Sequence, residues 1–386
     1  MSGPKSREET PNAGWNTGTM VQVFVAPGML SAVIRNKRAI DTVSVWQRAC
    51  AHGATITPGR GPDVGQIMLR YLSDPDIIGL GISGADVADA IEQTLRAKAE
   101  GQVRDFTKTT LVRDDGGLFQ STMAVGLADP APPHAAVKVV GLSPGNRARG
   151  LPHIGGLIVL LDGDTGLPAA ILDARWITAM RTAGMSLVAA RRLADPASAA
   201  IGFVGCGEQA QAHLDAFRAE FPVRRISVIG RRPQSAAAFV ARAEAQGLAA
   251  RVASSPEDAV RNHDIVVSSV PAAADLAVNL SAEWLATGGF ATLVDLGRSW
   301  RPDGFAAIAH RFTDDRALVA QGKRPLVPSG PYTGDLQSLV TGPATAFDPQ
   351  SRAVFVFQGM ALADLAAASL VLARAKAASL GTLLPQ

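Results

Sequence analysis

The sequence predicts an α/β protein of two domains, one built on a parallel, doubly wound sheet and the other α+β. Three observations lead there. At 386 residues the chain is longer than one ordinary core holds. From residue 199 onward short apolar runs alternate with helical stretches, the pattern of βαβ units. Before that, between residues 109 and 172, the runs alternate with turn signals such as Asp114-Asp115-Gly116-Gly117 and Asp162-Gly163-Asp164-Thr165-Gly166, the pattern of hairpins in an antiparallel sheet.

The first 18 or so residues carry Pro4, Glu8, Glu9 and Pro11, with no basic patch leading into an apolar stretch, so they read as a polar tail and not as a secretory signal. Apolar fragments at 21–25 and 43–46 alternate well enough for short strands, but residues 1–70 as a whole form an extension to which the sequence assigns no role. Ser83 or Asp86 then caps a helix whose apolar positions Val87, Ala90, Ile91 and Leu95 recur at helical spacing. Strands are expected at 109–113, 137–142, 157–161 and 169–172, and a connecting helix at 176–193, with a boundary near Asp195-Pro196. The parallel strands are expected at 200–204, 226–230, 251–253, 265–270 and 291–296, followed by a Gly/Pro-rich loop over 321–334 and a final helix over 359–380. The resulting division is 71–196, completed by 335–386, for one domain and 197–334 for the other.

Composition narrows the function. With 47% hydrophobic and 18% charged residues and no apolar run near the ~20 residues a bilayer needs, no membrane role is implied. The 37 basic and 34 acidic residues are dispersed, without the basic run or basic-aromatic module of a nucleic-acid binder. Cys50 and Cys206 are the only cysteines and lie in no CxxC or Cys/His cluster, which argues against a disulfide framework or a metal site and fits a reducing cytoplasm.

The motif that carries chemistry is Gly205-Cys206-Gly207-Glu208-Gln209-Ala210, which follows the apolar run Ile201-Gly202-Phe203-Val204 and opens a helix. This is the Rossmann dinucleotide fingerprint in its proper context. Gly205 permits the tight turn, Gly207 leaves room for a diphosphate, and Ala210 lets helix and strand pack closely. Free N–H groups at the helix start then face the anion. At the end of the next strand, where NAD-preferring proteins place an acid, the sequence reads Ile229-Gly230-Arg231-Arg232-Pro233-Gln234-Ser235. A 2′-phosphate is repelled by a carboxylate and held by arginine, so Arg231 and Arg232 favour NADP(H) over NAD(H), unless they are merely solvated. Ser235, the Ser269-Val270 pair and Thr182 complete the cofactor-side candidates, with Cys206 in the variable position a small packing residue. Lys138 stands in an otherwise apolar strand over 135–140. Either it points to solvent, or it points inward and costs several kcal/mol unless an anion meets it.

Val137-Lys138-Val139-Val140 with Ser143-Pro144-Gly145-Asn146, Leu160-Leu161-Asp162 with Thr165-Gly166, Thr178-Ala179-Met180-Arg181-Thr182-Ala183 and Phe357-Gln358-Gly359-Met360 with Asp364-Leu365-Ala366-Ala367 bracket the fingerprint at characteristic intervals. In this ordered series residues 71–386 resemble the ornithine cyclodeaminase/mu-crystallin family, in its ketimine reductase-like branch. The resemblance implies that 71–196 with 335–386 binds the substrate and joins its twin in a homodimer through its sheet, and that 197–334 binds a nicotinamide cofactor. Amino acids, imino acids or cyclic ketimines are the implied substrates. It further implies that Lys108, Lys138 and Arg181 grip the substrate carboxylate, Lys108 standing where arginine is usual. Cyclodeaminases also place an aspartate after the fifth Rossmann strand. An ungapped match puts Gly297 there, with Asp295 two residues upstream, either as its substitute or as a strand-end carboxylate. Without that aspartate, proton handling at the amine is weakened, so reduction of an imine is expected ahead of cyclodeamination, with a non-catalytic NADPH-binding protein as the reading from another class. Arg298 and Arg301, beside Trp300, line either a substrate mouth or a solvated loop.

Overall fold

The computed structural model describes residues 68–385 apart from 107, 272–279, 322–324 and 344–347. The strands expected at 21–25 and 43–46, and nearly all of the 1–70 extension, lie outside the described residues.

Hairpin-forming stretches and βαβ stretches build two separate sheets of eight strands. The first contains β1 (Met68–Leu72), β2 (Val103–Asp105), β3 (Thr109–Val112), β4 (Leu118–Gly126), β5 (His134–Leu142), β6 (Ile154–Asp162), β7 (Pro168–Asp173) and β16 (Thr382–Pro385). Its order is β16-β1-β7-β6-β5-β4-β2, with β3 also on β4, and every pairing except β1 with β7 is antiparallel. The sequence assigns no strand to 118–126, yet β4 is central. Its inner face carries the small or polar Thr122 and Ala124 while Phe119 and Met123 point outward, so its pattern reads inside out.

Strand register fixes what faces inward. Thr122 pairs with Lys138, Lys138 with Ile158 and Ile158 with Leu172, all buried. Because side chains alternate, Val139 next door lies on the opposite face and is 50% exposed. Ala174–Leu193 and Ala361–Ala377 lie on the inner face, and Gly84–Ala99 packs across both of them and on β2. Gly84–Ala99 starts at Ser83 in a capping box with Asp86, as the sequence predicts. Ala174–Leu193 and Ala361–Ala377 are buried along most of their length.

The second sheet runs β10 (Ala249–Val252), β9 (Arg225–Ile229), β8 (Ala200–Val204), β11 (Ile265–Ser268), β12 (Phe290–Leu293), β15 (Ala353–Val356), β13 (His310–Thr313), β14 (Gly334–Asp335), and it is parallel throughout. The chain moves outward from β8 to β10, then returns to lay β11 on the other side of β8. That reversal falls between β8 and β11, and the carboxyl ends of strands at such a reversal are the usual ligand position in such sheets. The stretch 335–386, which the sequence reading gives to the substrate domain, is divided: β15 enters the parallel sheet and the helix Ala361–Ala377 packs on the first sheet. Among the described residues, no helix is long and apolar enough to cross a membrane.

Candidate active site

At the end of β8 the chain turns through Gly205, whose φ of +106° is a conformation glycine adopts freely. A Cβ there would stand 2.8 Å from the Ser269 carbonyl oxygen, so the turn is wedged against the end of β11. Gly207 is the N-cap of the helix Glu208–Arg218, which has no side-chain cap, and a Cβ on Gly207 would meet nothing within 4 Å. Ala210 is fully buried behind the turn. The Ser269 hydroxyl and Gln209 Oε1 are buried without hydrogen-bond partners. Uncapped N–H groups, open space at Gly207 and the unpartnered Ser269 hydroxyl, which can donate, suit a dinucleotide diphosphate, so the corner fits the group its motif implies.

The other cofactor-side candidates fall around this corner. Cys206 packs where a Cβ on Gly230 would come within 2.4 Å of its sulfur, and burial pushes its thiol up. Glu208 is exposed in the first helical turn, its carboxyl raised by partial desolvation and by Asp74. Arg231 and Arg232 are exposed just beyond β9, Ser235 is half-buried in the first turn of Pro233–Ala245, and Val270 is half-buried just past β11. Thr182 is different: it is buried, and its hydroxyl donates to the Thr178 carbonyl at 2.7 Å inside its own helix. One turn earlier, Thr178 Oγ1 is buried without a hydrogen-bond partner, in a cleft it shares with Gln209, Arg175 and Gly156. The sequence reading does not single out Thr178.

Lys108, Lys138 and Arg181 come together on the inner face of the first sheet. Lys138 Nζ donates to Asp364 Oδ1 at 2.6 Å, and both residues are almost fully buried. Arg181 Nε lies 3.1 Å from the same oxygen, at ion-pair range but outside hydrogen-bond geometry. Thr122 Oγ1 donates to Asp364 Oδ2 at 3.1 Å. Lys108 Nζ donates to the Gln358 carbonyl. Next to it Gly359, at φ +85°, leaves so little room that a Cβ would stand 2.5 Å from Arg181 Nη1 and 3.2 Å from Lys108 Nζ. The Gly359 N–H donates to buried Asp314 at 2.7 Å.

The electrostatics follow from crowding. Burial and the neighbouring Arg181 push Lys138 down to about 8, and burial with Arg181 and Lys138 pushes Lys108 down to about 7. Burial alone would raise Asp364, but Lys138 and Arg181 hold it below the usual carboxylate range. Asp314 is raised by burial, partly offset by Lys108. Three basic side chains thus face two buried carboxylates, and burial together with mutual repulsion loosens the protons of Lys108 and Lys138. Asp364 and Asp314 are absent from the sequence-based site. The signal for Asp364 is its isolation as a buried acid in the Ala/Leu-rich helix Ala361–Ala377.

Asp295 does not join this cluster through any of its hydrogen bonds. One oxygen accepts from Ser268 Oγ at 3.0 Å and from the Gly297 N–H at 3.1 Å, the other from Ser299 Oγ at 2.5 Å. Burial raises its carboxyl to about 6 despite these bonds. It therefore braces the ends of β11 and β12. Trp300 is buried with Nε1 donating to Ser268 Oγ at 2.8 Å, and exposed Arg301 lies over the Trp284 ring at 5.7 Å.

With a dinucleotide corner and a cation cluster in place, comparison with known proteins decides the family: the ornithine cyclodeaminase/mu-crystallin model matches residues 66–379. The chain belongs to that family. Relatives include an alanine dehydrogenase of Archaeoglobus fulgidus, 31% identical over 54% of this chain and 61% of that protein. The ketimine reductase mu-crystallin of Rattus norvegicus is 27% identical over 74% of this chain and 95% of its own length. The pyrroline-2-carboxylate reductase of Thermococcus litoralis, solved with NADH and L-proline, superposes with a TM-score of 0.72 over 81% of this chain and 99% of that chain, at 24% identity. That likeness bears out the α/β fold of this ornithine cyclodeaminase/mu-crystallin family member, with its Rossmann-type sheet. The named relatives are dehydrogenases and reductases of carbon–nitrogen bonds.

Proposed function

We propose that this protein is an NAD(P)H-dependent oxidoreductase that reduces the C=N bond of an α-imino acid or cyclic ketimine to the amino acid, or runs the reverse oxidation. The observation that carries this reading is the convergence of Lys108, Lys138 and Arg181, three basic side chains around Asp364 and Gly359, where a substrate carboxylate would hold the lysines in their charged form. Alanine and pyrroline-2-carboxylate, named for relatives, both bear a carboxylate beside the carbon–nitrogen bond.

When bound, the nicotinamide supplies hydride to the imine carbon. The protein's own residues hold the carboxylate so that this carbon has one orientation, which is where much of the rate is gained. A proton at nitrogen completes the two-electron reduction. The engagement of Asp295 by neighbouring hydroxyl and backbone N–H donors supports reduction over cyclodeamination, which needs a free carboxylate at the amine. NADPH is preferred over NADH, on the strength of two exposed arginines and no acid in the turn after β9. A homodimer forms through the outer face of the first sheet, where Phe119, Met123, Val139 and Leu157 are 51%, 43%, 50% and 45% exposed on neighbouring strands.

The test is cofactor consumption by the purified protein with cyclic ketimine carboxylates and with 2-oxo acids plus ammonia or methylamine. Turnover of a carboxylate-bearing imine with NADPH is expected. Conversion of ornithine to proline and ammonia without net cofactor loss would establish a cyclodeaminase instead. Dinucleotide binding with no turnover across the panel would leave a binding protein.

A further inference from the structure

The dinucleotide corner opens the helix Glu208–Arg218 and Arg181 of the cation cluster stands on Ala174–Leu193, and a run of buried hydrogen bonds joins these two helices. His213 lies one turn beyond Gln209 on Glu208–Arg218, with Nδ1 2.7 Å from the Gln209 carbonyl oxygen and Nε2 2.9 Å from Ser186 Oγ. Ser186 stands on Ala174–Leu193, between one and two turns past Arg181, and its Oγ is 2.8 Å from Thr292 Oγ1 on β12. All three side chains are fully buried.

Ser186 Oγ also lies 3.4 Å from the Thr182 carbonyl oxygen, a longer contact than the 2.9 Å to Nε2, and giving its one proton to the nearer acceptor sets the direction of the run. A carbonyl only accepts, so Nδ1 carries the ring proton, Nε2 accepts from the Ser186 hydroxyl, and Ser186 accepts from Thr292. Burial pushes the ring down to about 4, so it is neutral at neutral pH and the arrangement does not titrate there. Apolar side chains would fill the same space without desolvation cost. What the polar run adds is a single permitted geometry.

We propose that Thr292, Ser186 and His213 are positioning residues that set the register between the diphosphate-binding turn at Gln209 and the helix bearing Arg181. Occupancy of the cofactor site is thereby coupled to occupancy of the carboxylate site. This rests on the function proposed above. A dinucleotide settling on the first turn of Glu208–Arg218 holds Gln209, and through His213 and Ser186 it holds the Arg181 helix, so each ligand binds more tightly in the presence of the other.

The experiment measures affinity for NADPH and for pyrrole-2-carboxylate, a planar non-reactive carboxylate, each alone and with the other saturating, in wild type, Ser186→Ala and the near-isosteric Thr292→Val. Wild type is expected to show at least about fivefold mutual tightening. Ser186→Ala should reduce it below about twofold, and Thr292→Val, which removes only the first link, should give an intermediate value. Loss of melting temperature with the coupling ratio unchanged in Thr292→Val would mean the run is merely structural and overturns the proposal. Absence of coupling in a wild type that turns over imines overturns it as well, leaving the function intact. A wild type that binds no dinucleotide overturns both.

Discussion

Replacing Lys138 by methionine removes a charge and keeps the length and apolar stem of the side chain. In the free protein the ammonium is held 2.6 Å from Asp364, and a substrate carboxylate would take a second charge-assisted hydrogen bond from it. Such a bond contributes about 1.5–3 kcal/mol, which at about 1.4 kcal/mol per decade is a loss of about 10- to 150-fold in kcat/KM. The fold should survive. Asp364 keeps Arg181 Nε at 3.1 Å and the Thr122 hydroxyl at 3.1 Å, so no buried anion is stranded. The stability cost therefore stays below the roughly 3–5 kcal/mol of a fully orphaned partner. The assay follows NADPH oxidation with a cyclic ketimine carboxylate and with the matching imine lacking the carboxylate, alongside NADPH titration. Only the carboxylate-bearing substrate should suffer, with cofactor affinity within about twofold of wild type. Equal losses on both imines, or no loss on either, would refute the carboxylate clamp.

Lysine is charged below its pKa, so as pH rises through about 7 and about 8 Lys108 and Lys138 lose their protons and the KM for the carboxylate substrate should climb; a flat profile from pH 6 to 9 would contradict the cluster's role. Gly207→Ala places a methyl in open space, so melting should hardly change while NADPH affinity falls about tenfold or more; calorimetry and a thermal melt on the same sample check this. Arg232→Ala should weaken NADPH by about 10- to 100-fold and NADH far less, read from the two dissociation constants. Gly359→Ala combines a left-handed backbone with a Cβ 2.5 Å from Arg181 Nη1, so kcat/KM should drop at least about tenfold with NADPH binding retained.

How much of this is legible in the sequence depends on whether the signal is local. The dinucleotide turn is legible because strand, glycines and helix are contiguous, and each glycine has a steric reason to be there. Lys138 is legible as one cation in an apolar strand. Its neutralising partner Asp364 is 226 positions away, on a helix buried nearly all round, where no polar face marks which residues matter. Asp314 is harder still, since its contact is a backbone N–H at Gly359. Thr182 and Thr178 are one helical turn apart, and only the structure shows which hydroxyl is already bonded within the helix. β4 escapes because its larger apolar side chains face out, which erases the alternation that would mark it.

β15 lies between β12 and β13, although β13 is made some 40 residues before it. During synthesis, therefore, β12 and β13 have a vacant slot between them, each with an unsatisfied row of backbone groups, until residue 356 has emerged. A chain cut short at residue 340 would keep the whole dinucleotide turn and still lack the strand that knits the sheet across that gap. Its exposed edges would invite pairing with other chains, so loss of the last 46 residues, which also takes Asp364 from the cation cluster, is expected to show as aggregation and not merely as weakened catalysis.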